Sequence, residues 1–253
     1  WPERYPESAI DAKMQATGPL HFASQMMCQP VNLAYSRFDI SLLQHYTEDV
    51  VHHEAQGHRR TMIGARAMTG VTLWWDPAFG HAQGDRSIVA LVYRDADGHH
   101  WIHRVIPLRI VPQSDMDEAT QQCRQVAQIA REFHVPCVAV ECNGLGQFLP
   151  GILQREIAAM GVRTLVRSIT STQQKSVRIL EAFDAKLAAE MLHVHSSVRD
   201  TPFLREMEDW YPDKRGGHDD CLDAVAGALA LHPPRLPRTT SSHAHRARTE
   251  FQV

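Results

Sequence analysis

The sequence lacks several features that would place it in a familiar class. Its five cysteines are odd in number and include no Cys-x-x-Cys pair, which argues against a zinc knuckle and against a secreted disulfide framework. No apolar run approaches the length of a transmembrane helix, and no secretory signal is recognisable. The formal net charge is −3, so nucleic acid would have to meet a local basic surface. We expect a protein of a reducing compartment that makes no contact with a membrane.

A phosphate-binding Gly-x-x-x-x-Gly-Lys-[Ser/Thr] loop is also missing, so we expect no ATPase motor in this chain. The 253 residues, 43% hydrophobic, suffice for one sizeable core but not for two full enzymatic domains. Because residue 1 is Trp rather than Met, we expect a fragment of a longer protein. We predict a linker and docking segment over 1–70, a folded domain over 71–232 and a polar, disordered tail over 233–253.

Hydrophobic patterning becomes regular from residue 71 onward. Before it, only short helical patches at 8–17 and 22–29 are expected, because the prolines argue against one long helix. After it, an Asp-Ala-Asp-Gly turn at 95–98 predicts a hairpin. The patterns predict strands at 71–75, 87–93, 101–110, 137–140, 162–168 and 191–194, and helices at 117–133, 148–160, 173–190 and 219–231. Three antiparallel strands followed by alternating helices and strands are the plan of an α/β, ribonuclease H-like mixed sheet flanked by helices.

Acidic residues stand where these apolar elements begin or end. Asp76 follows the first strand and Glu141 follows the fourth, while Asp219, Asp220 and Asp223 open the last helix. A carboxylate at the end of a buried strand is costly unless it is paired or coordinates a metal. A cluster of oxygen ligands suits Mg²⁺ or Mn²⁺, and two such ions can clamp the attacking water and the leaving oxygen of a phosphodiester.

Each of these acids also has a structural interpretation. Asp76 precedes a proline and could simply start a turn. One of the two aspartates at the start of the last helix could serve as its cap. Glu141 favours function because the Asn-Gly that follows already supplies a turn, and Asp223 lies beside an apolar helix face. All the acids together, in this order, predict a catalytic metal site.

Positive charge is concentrated in one stretch of the chain. Its cations are Arg155, Arg163, Arg167, Lys175, Arg178 and Lys186. Lys175 follows a polar loop and is the favoured phosphate contact, with Arg167 and Arg178 as further candidates; the alternative is an ordinary solvated helix face. Lys214 and Arg215 approach the acidic helix and could close over DNA. The tryptophans at 74, 75 and 101 lie in predicted strands, which indicates core positions.

Several of these motifs resemble the nuclease half of the large terminase subunit of tailed bacteriophages. They are Asp-Pro-Ala at 76–78, Val-Glu-Cys-Asn-Gly at 140–144 and His-Asp-Asp-Cys-Leu-Asp-Ala-Val at 218–225. Lys175 and Arg178 form a similar Lys-x-x-Arg, and Trp-Pro-Glu-Arg at 1–4 and 22–30 are similar to segments that follow the packaging motor. The likeness spans most of residues 1–232.

The resemblance implies a metal-dependent, sequence-tolerant endonuclease that cuts concatemeric viral DNA in the cytoplasm of an infected bacterium. It implies that Asp76, Glu141 and Asp220 hold two divalent cations, Mg²⁺ or Mn²⁺. Asp223 would be a further ligand or a supporting acid, and Asp219 a ligand or a cap. The implied partners are double-stranded DNA, a small terminase subunit, a portal protein and an ATPase domain of the same polypeptide.

Three other functions remain open at this point. A Holliday-junction resolvase or a transposase-like nuclease of the same fold would use the same acids. An actin or sugar-kinase fold would need glycine-rich phosphate loops, for which Gly80 and Gly84 are too sparse. A catalytically silent nucleic-acid-binding or assembly module would be expected to have lost one or more acids, and all are present.

Overall fold

The chain forms a mixed sheet with helices on both faces. The computed structural model describes residues 5–19, 22–23, 26–27, 38–55, 58–79, 86–143, 147–212 and 218–231. The strands are β1 (Gln44–Tyr46), β2 (Val50–Ala55), β3 (His58–Ile63), β4 (Arg66–Asp76), β5 (Ile88–Asp95), β6 (His100–Pro107), β7 (Cys137–Glu141), β8 (Leu165–Ile169) and β9 (Leu192–His195). The helices are α1 (Glu7–Thr17), α2 (Glu118–Glu132), α3 (Leu149–Ala159), α4 (Lys175–Ala188), α5 (Phe203–Asp209) and α6 (Asp220–Ala230). Within these described ranges, no helix has the length and apolar character needed to cross a membrane.

The strand order confirms the predicted fold class. β4, β5 and β6 pair antiparallel in succession. β7 pairs parallel with β4, and β8 pairs parallel with β7. On the far side β9 runs parallel to β6, and β1 runs parallel to β9. This is a ribonuclease H-like arrangement of three antiparallel strands extended by parallel ones, and it brings the ends of β4 and β7 to one edge.

The sheet begins earlier in the chain than we predicted. Residues 44–46, 50–55 and 58–63, expected in a linker, form β1, β2 and β3. β3 pairs with the start of β4, and β4 continues through residue 70. The hairpin of β2 and β3 is rich in His and Arg, so it has no apolar run by which to recognise it. The patch predicted at 8–17 is confirmed as α1. Half of the patch at 22–29 lies outside the described residues, and the tail from 233 lies outside them entirely.

Two hydrophobic cores fill the faces of the sheet, because side chains alternate along each strand. Leu73 and Trp75 of β4 contribute to the core under α2 and α3. Trp74 points to the opposite face, where residues of α4, α5 and α6 complete the other core. Trp74, Trp75 and Trp101 are all buried, as predicted from their strand positions. A strand buried on both faces explains why three apolar residues, Leu73, Trp74 and Trp75, stand in succession before Asp76.

The turn between β5 and β6 has the predicted hairpin geometry. Gly98 adopts a φ of 92°, which is unfavourable for any residue with a side chain. The Asp95 carboxylate accepts hydrogen bonds from the backbone N–H groups of Asp97 and His99, at 3.0 and 2.9 Å. The Asp-Gly turn chemistry was therefore sufficient to locate this hairpin.

Gly227 allows α6 to lie close against β4. A Cβ atom added at this position would come within 2.3 Å of the Trp74 ring. We expect Gly227→Ala to lower the free energy of unfolding by about 1–3 kcal/mol, because overpacking a fixed core forces neighbouring atoms to move. Gly151→Ala in α3 is the matched control, since nothing lies within 4 Å of its added Cβ. That change should raise the free energy of unfolding by about 0.5–1 kcal/mol. Urea unfolding measures both variants, and a Gly227→Ala protein as stable as wild type would contradict the prediction.

Candidate active site

Three predicted acids converge at the carboxyl edge of the sheet. Trp75 pairs with Val140 across the parallel strands β4 and β7, so Asp76 and Glu141, the next residues, lie at the same edge. α6 packs across β4 and β5 and brings in Asp223. Burial, followed by the charges of Glu141 and Asp223, raises the pKa of Asp76 to about 8. The carboxylates are thus close enough to repel one another.

Arg178 joins two of these acids from α4. Its Nη1 donates to Glu141 Oε1 at 2.9 Å, and its Nε and Nη2 donate to Asp223 Oδ1 at 3.1 and 2.5 Å. The Arg178 residue is only 8% exposed. Buried carboxylates are costly unless they are paired and hydrogen-bonded. Arg178 therefore fixes the orientation of Glu141 and Asp223 while partly neutralising them.

Lys175 lies one helical turn before Arg178, on the same side of α4. Its Nζ is 2.6 Å from Asp219 Oδ1 and 3.3 Å from Asp223 Oδ2, and its side chain is 44% exposed. Burial is the largest single influence on the pKa of Lys175, and it lowers that pKa. The charges of Asp223 and Asp219 together outweigh burial, so the pKa is raised overall. The Lys-x-x-Arg spacing thus supplies one buried cation and one at the solvent boundary.

The two oxygens of the Glu141 carboxylate differ in their contacts with the described part of the chain. Oε1 accepts hydrogen bonds from Arg178 and from Asn143 Nδ2, the latter at 2.8 Å. Oε2 is buried and accepts no hydrogen bond from any residue that the structure describes. We had assigned Asn143 to a turn, and its contact with Glu141 was missed because an Asn-Gly pair already has an adequate turn explanation.

The start of α6 is capped differently from our expectation. Asp219 occupies the cap position, but its side chain makes no capping hydrogen bond and contacts Lys175 instead. Glu206 of α5 accepts a hydrogen bond from the Leu222 N–H at 3.0 Å and so caps the helix. The sequence analysis did not predict α5, so it could not identify Glu206 as the capping residue. Neither aspartate is then needed as a cap.

Asp220 faces the segment that enters β5. Its Oδ2 accepts a hydrogen bond from the Arg86 backbone N–H at 3.0 Å and lies 3.8 Å from His218 Nδ1. The Asp220 residue is 6% exposed. The acids that raise the pKa of Asp76 are Glu141 and Asp223. Asp223 therefore shares Arg178 with Glu141 and also contacts Lys175, whereas Asp220 is held by the backbone of residue 86.

A buried polar chain holds the segment that follows Asp76. The Trp75 indole N–H donates to Ser87 Oγ at 2.9 Å, and that hydroxyl donates to Gln122 Oε1 at 2.7 Å. Gln122 Nε2 in turn donates to the Ala78 carbonyl at 3.0 Å. Gln122 is fully buried in α2, so this helix fixes the backbone just beyond Asp76. The sequence analysis missed Gln122, because the helical periodicity identifies the buried face of α2 but does not indicate a role for a polar residue on it.

The predicted DNA contacts fall into three groups. Arg167 and Lys175 are exposed, and the Lys175 amine contacts Asp219 and Asp223. Arg178 is buried between carboxylates, so it does not lie on the solvated helix face that we considered for it. Lys214 and Arg215 lie outside the described residues.

Lys186, which we placed in the basic stretch, is buried instead. It is 5% exposed, and its Nζ donates to the Ala182 carbonyl at 3.0 Å. Burial, with a contribution from Arg94, lowers the pKa of Lys186 to about 8 from a usual value of 10.5. The helical pattern did not reveal this because a lysine on the boundary of an apolar face usually extends its amine into water.

We expect Lys186→Met to raise the free energy of unfolding by about 2 kcal/mol at pH 7, because it removes a buried charge without leaving a hole. A lowered pKa in the folded state means that the unfolded chain binds more protons between pH 8 and pH 10.5. The stability of the wild type should therefore rise through this interval, and the advantage of the variant should shrink. Urea unfolding at pH 7 and at higher pH tests this, with the exposed Lys13→Met as control. A variant no more stable than wild type at pH 7 would contradict it.

The carboxylates suit a hard divalent cation in their donor chemistry. Oxygen ligands are those that Mg²⁺ and Mn²⁺ prefer, and the unpartnered Oε2 of Glu141 is an available buried acceptor. Across the residues that the structure describes, no group of three or more His, Cys, Asp or Glu side chains has the arrangement of a metal site. Arg178 and Lys175 lie among these carboxylates and supply the compensating positive charge. Metal binding would thus require these cations to shift.

Comparison with known proteins gives one family and several structural neighbours. The model of the family described as the terminase RNaseH-like domain matches residues 73–231. The nuclease domain of the large terminase subunit of bacterial virus Sf6 is similar in structure, with 10% identity, a TM-score of 0.46, and coverage of 64% of this chain and 88% of that one. Substituted forms of that viral domain have been solved with calcium and with manganese.

Two resolvases are also similar in structure. The yeast mitochondrial Holliday junction resolvase has 11% identity and a TM-score of 0.42, covering 64% of this chain and 78% of its own. RuvC of Thermus thermophilus has 15% identity and a TM-score of 0.36, covering 63% and 91%. No curated protein matches the chain.

Proposed function

The chain belongs to the family of terminase RNaseH-like domains, and on that premise we propose that it is a metal-dependent DNA endonuclease that cuts concatemeric viral DNA during genome packaging. The family supports a nuclease role. The observation that carries the proposal is the convergence of Asp76, Glu141 and Asp223 at one edge of the sheet, set by the pairing of β4 with β7 and by Arg178, which bridges Glu141 and Asp223. Burial, followed by the charges of Glu141 and Asp223, raises the pKa of Asp76 to about 8. Such repulsion in a partly buried site is relieved by a cation.

We assign the metal-holding role to Asp76, Glu141 and Asp223, with Asp220 and Asp219 at the margin. Two Mg²⁺ or Mn²⁺ ions held there would supply an activated water and neutralise charge on the phosphodiester. Glu141 offers Oε2 as an acceptor while Arg178 and Asn143 hold Oε1 in place. Gln122 fixes the backbone after Asp76 through the Ala78 carbonyl.

We propose that Lys175 contacts the substrate. Its side chain is 44% exposed while its amine is bound to Asp219 and Asp223. A DNA phosphate arriving at this edge would offer the amine a new partner, and a metal ion would take over the carboxylates. Arg167, Lys214 and Arg215 are proposed as more distant phosphate contacts. Contacts to phosphates alone would give binding that tolerates sequence and weakens with salt.

The setting of the reaction follows from the same proposal. We infer that double-stranded DNA is the substrate and that the protein acts in the cytoplasm of an infected bacterial host. A small terminase subunit, a portal protein and an ATPase domain of the same polypeptide are the proposed partners. They would supply the timing of cleavage, because phosphate contacts alone carry no sequence information.

Cleavage of supercoiled plasmid tests the proposed function. We expect nicked and linear products with Mn²⁺ or Mg²⁺, and none with EDTA. A four-way DNA junction included in parallel separates the resolvase alternative, which would favour the junction over the duplex. If folded wild-type protein cuts no DNA with either metal, the stand-alone nuclease is wrong and the silent binding or assembly module is favoured.

A further inference from the structure

Two exposed phenylalanines form a pair beside the carboxylate cluster. Phe79 is 37% exposed and Phe148 is 51% exposed. Their ring centroids are 6.0 Å apart, and the ring planes are inclined by 38°. Aromatic side chains contribute much of their stabilising energy through burial, so an exposed pair of this kind adds little to the fold. Both rings have apolar surface available to a further planar group.

Buried elements hold the backbone on which each ring is carried. The carbonyl of Ala78, directly before Phe79, accepts the hydrogen bond from Gln122 of α2. Leu149, directly after Phe148, is fully buried in the core between α2 and α3. The same helix α2 therefore supports both positions. Exposed rings on an anchored backbone lose little conformational freedom when they bind a ligand.

The pair lies near the carboxyl edge of the sheet, where β4 ends at Asp76 and β7 ends at Glu141. Phe79 follows Asp76 by three residues, so their Cα atoms are at most about 11 Å apart. Phe148 lies between the end of β7, which carries Glu141, and the start of α3. Arg86, which is exposed, donates its backbone N–H to Asp220 and adds a cation to this edge. A nucleotide strand spaces its phosphates about 3.4 Å apart along a helix axis, so only a few nucleotides separate the acids from the rings.

We propose that Phe79 and Phe148 form a base-stacking platform that holds an unpaired base of the DNA strand beside the carboxylate cluster. This rests on the proposed function, since it requires DNA at this edge. Every base has a π-face, so stacking on aromatic rings is tolerant of sequence. The platform would favour strand segments that are locally opened or single-stranded, and it would place the neighbouring phosphodiester at the acids.

Binding of short DNA in EDTA tests the platform independently of cleavage. The probes are a single-stranded oligonucleotide containing the fluorescent base 2-aminopurine, and the same sequence as a fully paired duplex. The proteins are wild type, the double variant Phe79→Leu/Phe148→Leu, and the rescue variant Phe79→Tyr/Phe148→Tyr. Leu165→Ala is the matched control, because Leu165 is 74% exposed but begins β8, at the opposite end of the parallel strands.

We expect the double Leu variant to bind single-stranded DNA about tenfold more weakly, a typical effect of losing stacking on one or two bases. Its affinity for duplex should change less than twofold, and the quenching of 2-aminopurine should be lost. The Tyr variant and the Leu165→Ala control should behave as wild type. Thermal unfolding should change little, since Phe79 and Phe148 are 37% and 51% exposed and leucine or tyrosine retains most of the buried apolar surface.

Two results would overturn the platform while leaving the nuclease intact. One is unchanged single-strand binding by the double Leu variant, and the other is an equal loss on single strand and duplex. Unchanged DNA binding with loss of association to the ATPase domain supplied separately would make the pair a protein-docking surface instead. If wild type binds neither DNA form and cuts no plasmid, the proposed function itself fails and the platform falls with it.

Discussion

Replacing Glu141 by Gln, or Asp76 by Asn, is expected to reduce metal-dependent plasmid cleavage by more than about 100-fold. Substitutions that merely surround metal ligands cost 10- to 100-fold in affinity or activity, and these two carboxylates are proposed to be ligands. Glu208→Gln, an exposed carboxylate on α5, is the matched control and should cut as wild type. Cleavage rates measured over a series of Mn²⁺ concentrations provide the comparison.

Stability separates this loss from simple unfolding. Asp76 is destabilising as an anion because burial and two neighbouring acids raise its pKa to about 8. A carboxyl group with a raised pKa costs stability at every pH above its usual value of 3.8. Asp76→Asn should therefore melt at a higher temperature than wild type in EDTA at pH 7, and the gain should fall as the pH approaches 4.

Metal binding gives a second readout for the same variants. A cation that binds only the folded protein raises its melting temperature in proportion to the logarithm of the ion concentration. Wild type should show this increase with Mn²⁺, and Glu141→Gln and Asp76→Asn should show little of it. If both variants retain full cleavage and the full Mn²⁺ shift, the carboxylate cluster is not the catalytic site.

Arg178→Met is expected to be the most destabilising single change in the site. It leaves Glu141 and Asp223 buried without their shared cation, and breaking one side of a buried ion pair typically costs about 3–5 kcal/mol. The Arg178 guanidinium makes three hydrogen bonds to these carboxylates. We expect a loss of about that size in urea unfolding at pH 7 with EDTA.

The matched control for this effect is Lys175→Met. Lys175 also contacts Asp223, but its side chain is 44% exposed, and exposed ion pairs contribute about 0–1 kcal/mol. Mn²⁺ should restore part of the stability of Arg178→Met, because a divalent cation can take the place of the missing charge. An Arg178→Met protein as stable as wild type in EDTA would show that the buried carboxylates do not depend on this arginine.

Sequence patterns located most of the elements that carry the site. The apolar runs before Asp76 and Glu141 became β4 and β7, and the acidic start of the last helix became α6. A strand buried on both faces, or a helix packed along one face, needs apolar residues at a characteristic spacing, and that spacing can be recognised in the sequence. β2 and β3 were missed for the opposite reason, since a short polar hairpin at the margin carries no comparable pattern.

Side-chain partnerships at the site were not accessible in the same way. The Lys-x-x-Arg spacing placed Lys175 and Arg178 on one helix face, but it could not say that the arginine would be buried between two acids. The cap on α6 comes from Glu206, 14 residues before the helix begins. These contacts depend on where α4, α5 and α6 sit over the sheet, which local pattern does not encode.

By itself the sequence determined the fold class, the edge of the sheet at which the acids meet and the hard-oxygen chemistry that they offer, because periodicity and the ends of buried strands are local properties of the chain. The tertiary structure alone decided which two carboxylates Arg178 joins, and which aromatic rings remain exposed near them. Those outcomes follow from burial, and the burial of a charged or aromatic side chain is set by elements distant in sequence. Asp223 and Lys186 show both contributions. Each lies on a helix that the sequence predicted, but the pairing of Asp223 with Arg178 and the lowered pKa of buried Lys186 depend on neighbours that only the packed chain supplies.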